Sequence, residues 1–153
     1  MDISVKQHLL DWIISYLKNK DLIHRKITNV STQAGTYDAL ITYKDKNQPV
    51  FIVPTLTNFD AIKQKLTDSH LLLVTLNNKD NLSFLLLHWK ELVQHKYLCI
   101  YFINPFSTMD KKWIIFPYTH HSICDESSLK QGLTSLFEGV ESISEEDVER
   151  RIK

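Results

Sequence analysis

The sequence predicts an α/β domain in which a mixed β-sheet is flanked by helices. Segments with apolar residues at helical spacing alternate with short apolar runs that have the length of strands. The first three strand-like runs are separated by short polar turns, whereas helical segments separate the later ones. Short turns join antiparallel neighbours and helical crossovers join parallel ones, so the sheet is expected to contain both kinds of pairing.

The first element is an amphipathic helix over residues 2–18, because its apolar side chains recur at helical spacing. Asp2 or Ser4 is expected to cap the N-terminus of this helix. Partial alternation and β-branched residues predict a strand over 22–33. The Ala34-Gly35 pair then predicts a turn.

Clearer alternation predicts a second strand over 37–43, and the polar residues 44–48 predict a hairpin loop after it. The continuous apolar run over 50–53 is typical of a strand that is buried on both faces. A helix follows, capped by Thr57 and running to about residue 66. These elements complete the expected antiparallel meander and begin the first crossover.

The remaining elements rest on the same two signals, helical spacing for helices and short apolar runs for strands. They are a strand over 71–76, a helix from Asp80 or Asn81 to His95, strands over 97–103 and 113–116, and a helix from Asp125 or Ser127 to Gly139. Leu73 and Ile100 are expected at the centre of the sheet. Residues 1–140 are thus predicted to form one domain, and 141–153 a charged C-terminal tail or short helix.

Composition argues against several classes of protein. The chain of 153 residues carries 18 basic and 18 acidic side chains, unlike the net positive charge that phosphate contacts favour in nucleic-acid-binding proteins. Cys99 and Cys124 do not suggest a disulfide framework, and Cys99 is expected to be buried. We find no signal-peptide pattern, no bilayer-length apolar run and no glycine-rich phosphate loop. We therefore expect a cytoplasmic protein without a cofactor or membrane contacts.

The order helix, three strands, helix, strand in the first half of the chain resembles the restriction-endonuclease-like core of the PD-(D/E)XK nuclease superfamily. That family has an acidic residue on the second strand, and an Asp or Glu, one spacer and a Lys on the third. The carboxylates hold Mg²⁺ and the lysine orients the attacking water. Asp38 matches the first acid, but Val53 and Thr55 stand at the carboxylate and lysine positions. Gln7 adds only a neutral amide, so the resemblance implies a degenerate site.

The resemblance therefore implies a nuclease-like domain that lacks metal-dependent cleavage and acts as a binding or scaffolding module, with nucleic acid or protein as its partner. One alternative is an active nuclease with a rearranged site. Another is a homo-oligomeric interaction protein that is unrelated to nucleic acid. Asp38 itself has a simpler interpretation, because an aspartate that follows a turn is often only a strand-edge residue.

A short cluster near the C-terminal helix contains residue types that bind zinc. It comprises His120, His121, Cys124 and Asp125, followed by Glu126. Its close spacing fits a metal site, but no second motif elsewhere completes a tetrahedron. The alternative, which the sequence favours, is a polar loop that leads into the N-terminus of a helix and complements the helix dipole.

A second cluster combines basic and aromatic residues and is a candidate for nucleic-acid binding. Lys111 and Lys112 are positioned to meet phosphates, while Trp113 and Tyr118 offer rings on which bases stack. These aromatic residues alternate with Ile and Leu in strand-like runs, which favours a place in the core instead.

Overall fold

One mixed six-stranded sheet forms the centre of the fold in the computed structural model, which describes residues 4–32, 35–66 and 69–153. The strands are β1 (Ile27–Ser31), β2 (Ala39–Tyr43), β3 (Asn47–Ile52), β4 (Leu72–Leu76), β5 (Cys99–Ile103) and β6 (Lys112–Ile115). They lie side by side in chain order. Strands β1, β2 and β3 form an antiparallel meander, β3, β4 and β5 are parallel, and β6 pairs antiparallel with β5.

Helices cover both faces of this sheet. They are α1 (Val5–Lys20), α2 (Phe59–Lys63), α3 (Lys79–Leu87), α4 (Trp89–Leu92), α5 (Pro117–Ile123), α6 (Leu129–Glu138) and α7 (Glu145–Ile152). Apolar side chains of α1 and α7 pack on one face, and those of α2, α3, α4 and α6 pack on the other. The predicted α/β class with a mixed sheet between helices is confirmed. In the part of the chain that the structure describes, every helix is too short or too polar to cross a membrane.

The two central parallel strands are buried on both faces, as their continuous apolar sequences predict. Every residue of β4 and of β5 is buried. Leu73 and Ile100 are partners in the register of these strands and pack in the apolar cluster that contains α3 and α4. Their predicted place at the centre of the sheet is confirmed.

Boundaries in the first third of the chain depend on hydrogen bonds that the apolar pattern does not reveal. Ser4 caps α1, because its hydroxyl accepts a hydrogen bond from the Gln7 N–H at 3.1 Å. The predictions that involve Asp2 and Ala34 lie outside the described residues. The predicted hairpin loop at 44–48 is too long, because its last two residues already pair with β2 as the start of β3.

Two predicted helices also change their limits. Asn58, the residue after the predicted cap, caps α2. Asn78 caps α3 and thereby starts that helix earlier than predicted. The continuous helix predicted to reach His95 is wrong, since the backbone of His88 leaves the helical region and separates α3 from α4.

The C-terminal third contains one helix that the sequence did not predict. It is α5, with Pro117 in its first turn, where the missing N–H costs no hydrogen bond. A 3₁₀ turn over Glu126–Ser128 then leads into α6, which ends at Gly139 as predicted. The segment predicted as a charged tail or short helix contains α7, and its Val148 is fully buried against the α1 face of the sheet.

Candidate functional site

Asp38 lies immediately before β2 and is held against the end of β3. Its N–H donates to the carbonyl oxygen of Val50 at 2.9 Å. Its Oδ2 accepts a hydrogen bond from the N–H of Ile52 at 2.7 Å, and its Oδ1 forms an ion pair with Lys6 Nζ at 2.9 Å. The Asp38 side chain is only 16% exposed. Both carboxylate oxygens therefore already have a partner within the chain.

Lys6 reaches this carboxylate from the first turn of α1, and its own side chain remains 50% exposed. An ion pair with one partner so exposed contributes little to stability, typically about 0–1 kcal/mol. The ammonium group lies at Oδ1, so it would compete with a metal ion for this oxygen. A divalent cation at Asp38 would have to displace Lys6. It would gain only one carboxylate ligand in return.

The other two motif positions do not supply the missing groups. Val53 packs in the apolar cluster on the face of the sheet that α2 and α3 cover, whereas Lys6 approaches Asp38 from α1 on the opposite face. Thr55 donates a hydrogen bond from Oγ1 to Glu145 Oε2 at 3.0 Å, which ties the end of the β3 segment to the first turn of α7. The motif positions thus serve packing and the attachment of a helix.

Sequence reasoning missed the acidic residues of α7 that lie near this place. Glu145 and Glu149 line a shallow surface depression together with Lys6 and Lys153. Thr55 and Glu145 are 90 positions apart, so no local pattern brings them together. Among residues 4–32, 35–66 and 69–153, no group of three or more His, Cys, Asp or Glu side chains is arranged to hold a metal ion. Gln7 donates a hydrogen bond from Nε2 to Asp11 Oδ1 at 2.9 Å.

Buried asparagines close the carboxyl ends of the parallel strands, the edge at which open α/β sheets usually bind ligands. Asn77 donates from Nδ2 to the carbonyl oxygens of Phe137 at 3.1 Å and Val140 at 2.9 Å. Asn104 likewise donates from Nδ2 to the carbonyl oxygen of Glu141 at 3.0 Å. These bonds fasten the segment between α6 and α7 across the strand ends, so the chain itself covers part of this edge.

The candidate zinc cluster is spread over the exposed surface of α5 and the turn after it. His120 Nδ1 lies 3.9 Å from Cys124 Sγ, one helical turn further on, and the His120 ring meets Trp89 edge to face. His121 and Asp125 are exposed, and Asp125 precedes the 3₁₀ turn. The predicted polar loop is wrong in part, because His120 and His121 lie on a helix.

The candidate nucleic-acid cluster is divided between the two faces of the sheet. Trp113 is only 5% exposed, stacks on Phe102 with ring centroids 4.3 Å apart, and donates from Nε1 to Asn77 at 2.6 Å. A ring in this position cannot stack on a base, so the core interpretation of Trp113 is the correct one. Lys112 instead lies on the other face, 5.2 Å above the ring of Tyr16.

The other two members of that cluster lie elsewhere. Lys111 donates from Nζ to the backbone carbonyls of Pro105 at 3.0 Å and Ser107 at 3.3 Å, and it thereby closes the turn after β5. Tyr118 is partly exposed on α5. The four side chains do not form one surface, because successive strand residues point to opposite faces.

Sequence reasoning also missed a cavity of about 330 Å³. It lies at the amino ends of β3, β4 and β5, beneath the last turn of α1. Lysine and tyrosine side chains line it together with the thiol of Cys99. No sequence signal identifies this cavity, because its walls come from five separate segments of the chain.

The two cysteines are expected to react at very different rates with a thiol-specific aromatic disulfide reagent. Burial raises the pKa of the Cys99 thiol to about 12, so at about pH 8 almost none of it is the reactive thiolate. Cys124 is exposed. We expect one thiol per chain to react rapidly in the native protein and the second only after unfolding, as measured by absorbance.

The control for this experiment is Cys124→Ser, which should abolish the rapid phase and leave only the slow one. Rapid reaction of that variant in the native state would show that reagent reaches Cys99 through the cavity and that burial does not keep its thiol protonated.

Comparison of the chain with protein-family models, curated proteins and solved structures finds no significant match.

Proposed function

We propose that the chain is a nuclease-superfamily-like domain that lacks metal-dependent cleavage and serves as a binding or scaffolding module. The order of elements supports this proposal: α1 is followed by an antiparallel meander, the crossover helix α2 and a fourth strand parallel to the third. This is the order that the resemblance implies. The sequence at the motif positions supports the loss of cleavage, since Val53 binds no hard cation and Thr55 carries no charge.

The observation that carries the proposal is the pairing of Asp38 with Lys6. A catalytic carboxylate of this class must be free to bind a metal ion, which generates hydroxide and stabilises the developing charge on phosphate. Here one oxygen accepts the Ile52 N–H and the other contacts the Lys6 ammonium at 2.9 Å. The positive charge that a metal would bring is therefore supplied by the protein.

We expect the purified protein to cleave neither single- nor double-stranded DNA or RNA in Mg²⁺ or Mn²⁺, because only one of the three motif groups is present. Gel assays on the four substrates measure this directly. Calorimetric titration with Mn²⁺ should likewise show no site of micromolar affinity, since one carboxylate rarely holds a divalent ion against water.

Two variants separate the possible results. Asp38→Asn removes the charge but keeps an acceptor for the Ile52 N–H, and Lys6→Gln frees the carboxylate without changing it. Cleavage by the wild type that disappears in Asp38→Asn would establish an active nuclease. Cleavage that instead disappears in Glu145→Gln would establish a rearranged site that uses α7. A tight Mn²⁺ site present in both the wild type and Lys6→Gln would also contradict the proposal.

A further inference from the structure

The cavity at the amino ends of the parallel strands is separate from Asp38. Its walls include Gln48 and Leu72, at the starts of β3 and β4, and Tyr43, at the end of β2. Asp38 lies at the opposite ends of β2 and β3, beside Ile52. The volume of about 330 Å³ falls at the lower end of the range of roughly 300–1,000 Å³ that small-molecule sites occupy.

Positive charge predominates around this cavity. Lys20, Lys26 and Lys46 line it, and none of the three forms an ion pair within the part of the chain that the structure describes. The carboxylates that line it are Asp21 and Asp45. Three ammonium groups against two carboxylates leave a net positive charge when the lining histidines are neutral.

Both carboxylate oxygens of Asp21 are held by the backbone. Its two oxygens accept hydrogen bonds from the N–H groups of Lys26 at 2.9 Å and Ile27 at 2.8 Å. These bonds, above all the one from Ile27, hold the pKa of the Asp21 carboxyl below its usual range. Asp21 therefore fixes the turn that forms one wall, and the lysines remain available to an anion.

The interior of the cavity is aromatic and contains an unpaired hydroxyl. Tyr43, Tyr97 and Tyr101 line it, with Phe116 at its edge. Tyr101 is 4% exposed as a whole residue, and its hydroxyl makes no hydrogen bond to any residue that the structure describes. The hydroxyl itself is not enclosed, because Trp89 Nε1 is the one buried side-chain nitrogen or oxygen without a partner among the described residues. The Tyr101 hydroxyl is therefore open to the cavity and free to bond a polar atom of a ligand in place of solvent.

We propose that this cavity binds a small organic anion with a planar ring, whose carboxylate or phosphate is held by the lysines and whose ring lies between the tyrosines. Charge-assisted hydrogen bonds from Lys20 and Lys46 bind the acid group. The Tyr101 hydroxyl donates a further hydrogen bond. Sheets of this kind usually bind ligands at the carboxyl ends of their strands, but here Asn77 and Asn104 fasten a covering segment over that edge.

The test uses the full chain and two probes, 2-naphthoate and 2-naphthyl phosphate, with 2-naphthamide as the neutral analogue. Titrations are followed by the backbone amide signals in two-dimensional NMR spectra. We expect at least one anion to shift the signals of Tyr43, Cys99 and Tyr101 with saturation below millimolar concentration. The amide should bind about tenfold more weakly or not at all, because it carries no negative charge to pair with the lysine ammonium groups. Whichever anion binds more tightly identifies the acid group.

Variants locate the site. The double substitution Lys20→Gln with Lys46→Gln should weaken binding about tenfold or more, as expected for the loss of charge-assisted hydrogen bonds. Tyr101→Phe should weaken binding several-fold. Lys130→Gln, on the exposed surface of α6, is the matched control and should bind normally. Absence of signal shifts with both anions, equal binding of the amide, or equal weakening by Lys130→Gln would each overturn the proposal. None of these results depends on whether Asp38 once belonged to a nuclease site.

Discussion

Replacing Leu73 or Ile100 by alanine is expected to lower the free energy of unfolding by about 2–5 kcal/mol, the cost of emptying a fully buried apolar site. Each side chain is 1% exposed, and the two are register partners on neighbouring parallel strands. A cavity at either position cannot be filled by solvent or by a flexible surface chain. Chemical denaturation of the single variants measures the loss.

The matched control is Leu87→Ala, because Leu87 is 78% exposed at the end of α3. Its unfolding free energy should change by less than about 0.5 kcal/mol, as for most surface substitutions. The loss of unfolding free energy in the double variant of Leu73 and Ile100 should differ from the sum of the two single losses. The effects of substitutions at residues in contact are not additive. A loss below about 1 kcal/mol at both buried positions would mean that β4 and β5 are misplaced.

Asn81→Ala is expected to destabilise the fold by about 2–4 kcal/mol, because it leaves buried polar groups without partners. The Asn81 side chain is fully buried. Its Nδ2 lies within hydrogen-bond distance of Pro54 O, Thr75 Oγ1 and Leu76 O at 2.8–3.0 Å, and its Oδ1 accepts from the Leu56 N–H at 2.9 Å. The side chain thus joins the chain segment after β3 to the end of β4.

Two further variants are compared with Asn81→Ala. Asn58→Ala removes the exposed asparagine that caps α2 and should cost only about 1 kcal/mol. Asn81→Asp keeps the size of the side chain but replaces the donor group with an acceptor, so it should destabilise at least as much as alanine. Equal midpoints for Asn81→Ala and Asn58→Ala in urea would show that the buried bonds contribute nothing beyond an ordinary cap.

The apolar pattern was sufficient to predict the class of fold, since it reports burial and burial follows the period of each element. The central strands β4 and β5 are continuous apolar runs because both of their faces are covered. Element ends were predicted less well. Asn58 and Asn78, rather than the predicted residues, cap their helices, because a cap depends on which side chain reaches a free N–H.

At the candidate site, too, the sequence predicted the residue types but not the contacts between distant residues. The sequence singled out Asp38 and showed that Val53 and Thr55 lack the groups that a metal site requires. It did not reveal that Lys6 would pair with Asp38 or that Glu145 would bond to Thr55, because α1 and α7 meet these positions only after the sheet has formed. Trp113 was a candidate for stacking on bases until the register of β6 turned it towards Phe102.

The sequence by itself determined the α/β class, the central strands and the absence of two of the three motif groups, because residue type and spacing are local properties. Tertiary structure alone decided which charges meet, which face each side chain occupies, and where a cavity remains. The lysines and tyrosines around that cavity come from α1, from the turn before β1, from the β2–β3 hairpin and from the start of β5. Their convergence depends on the pairing register and helix packing of distant segments, which no local pattern encodes.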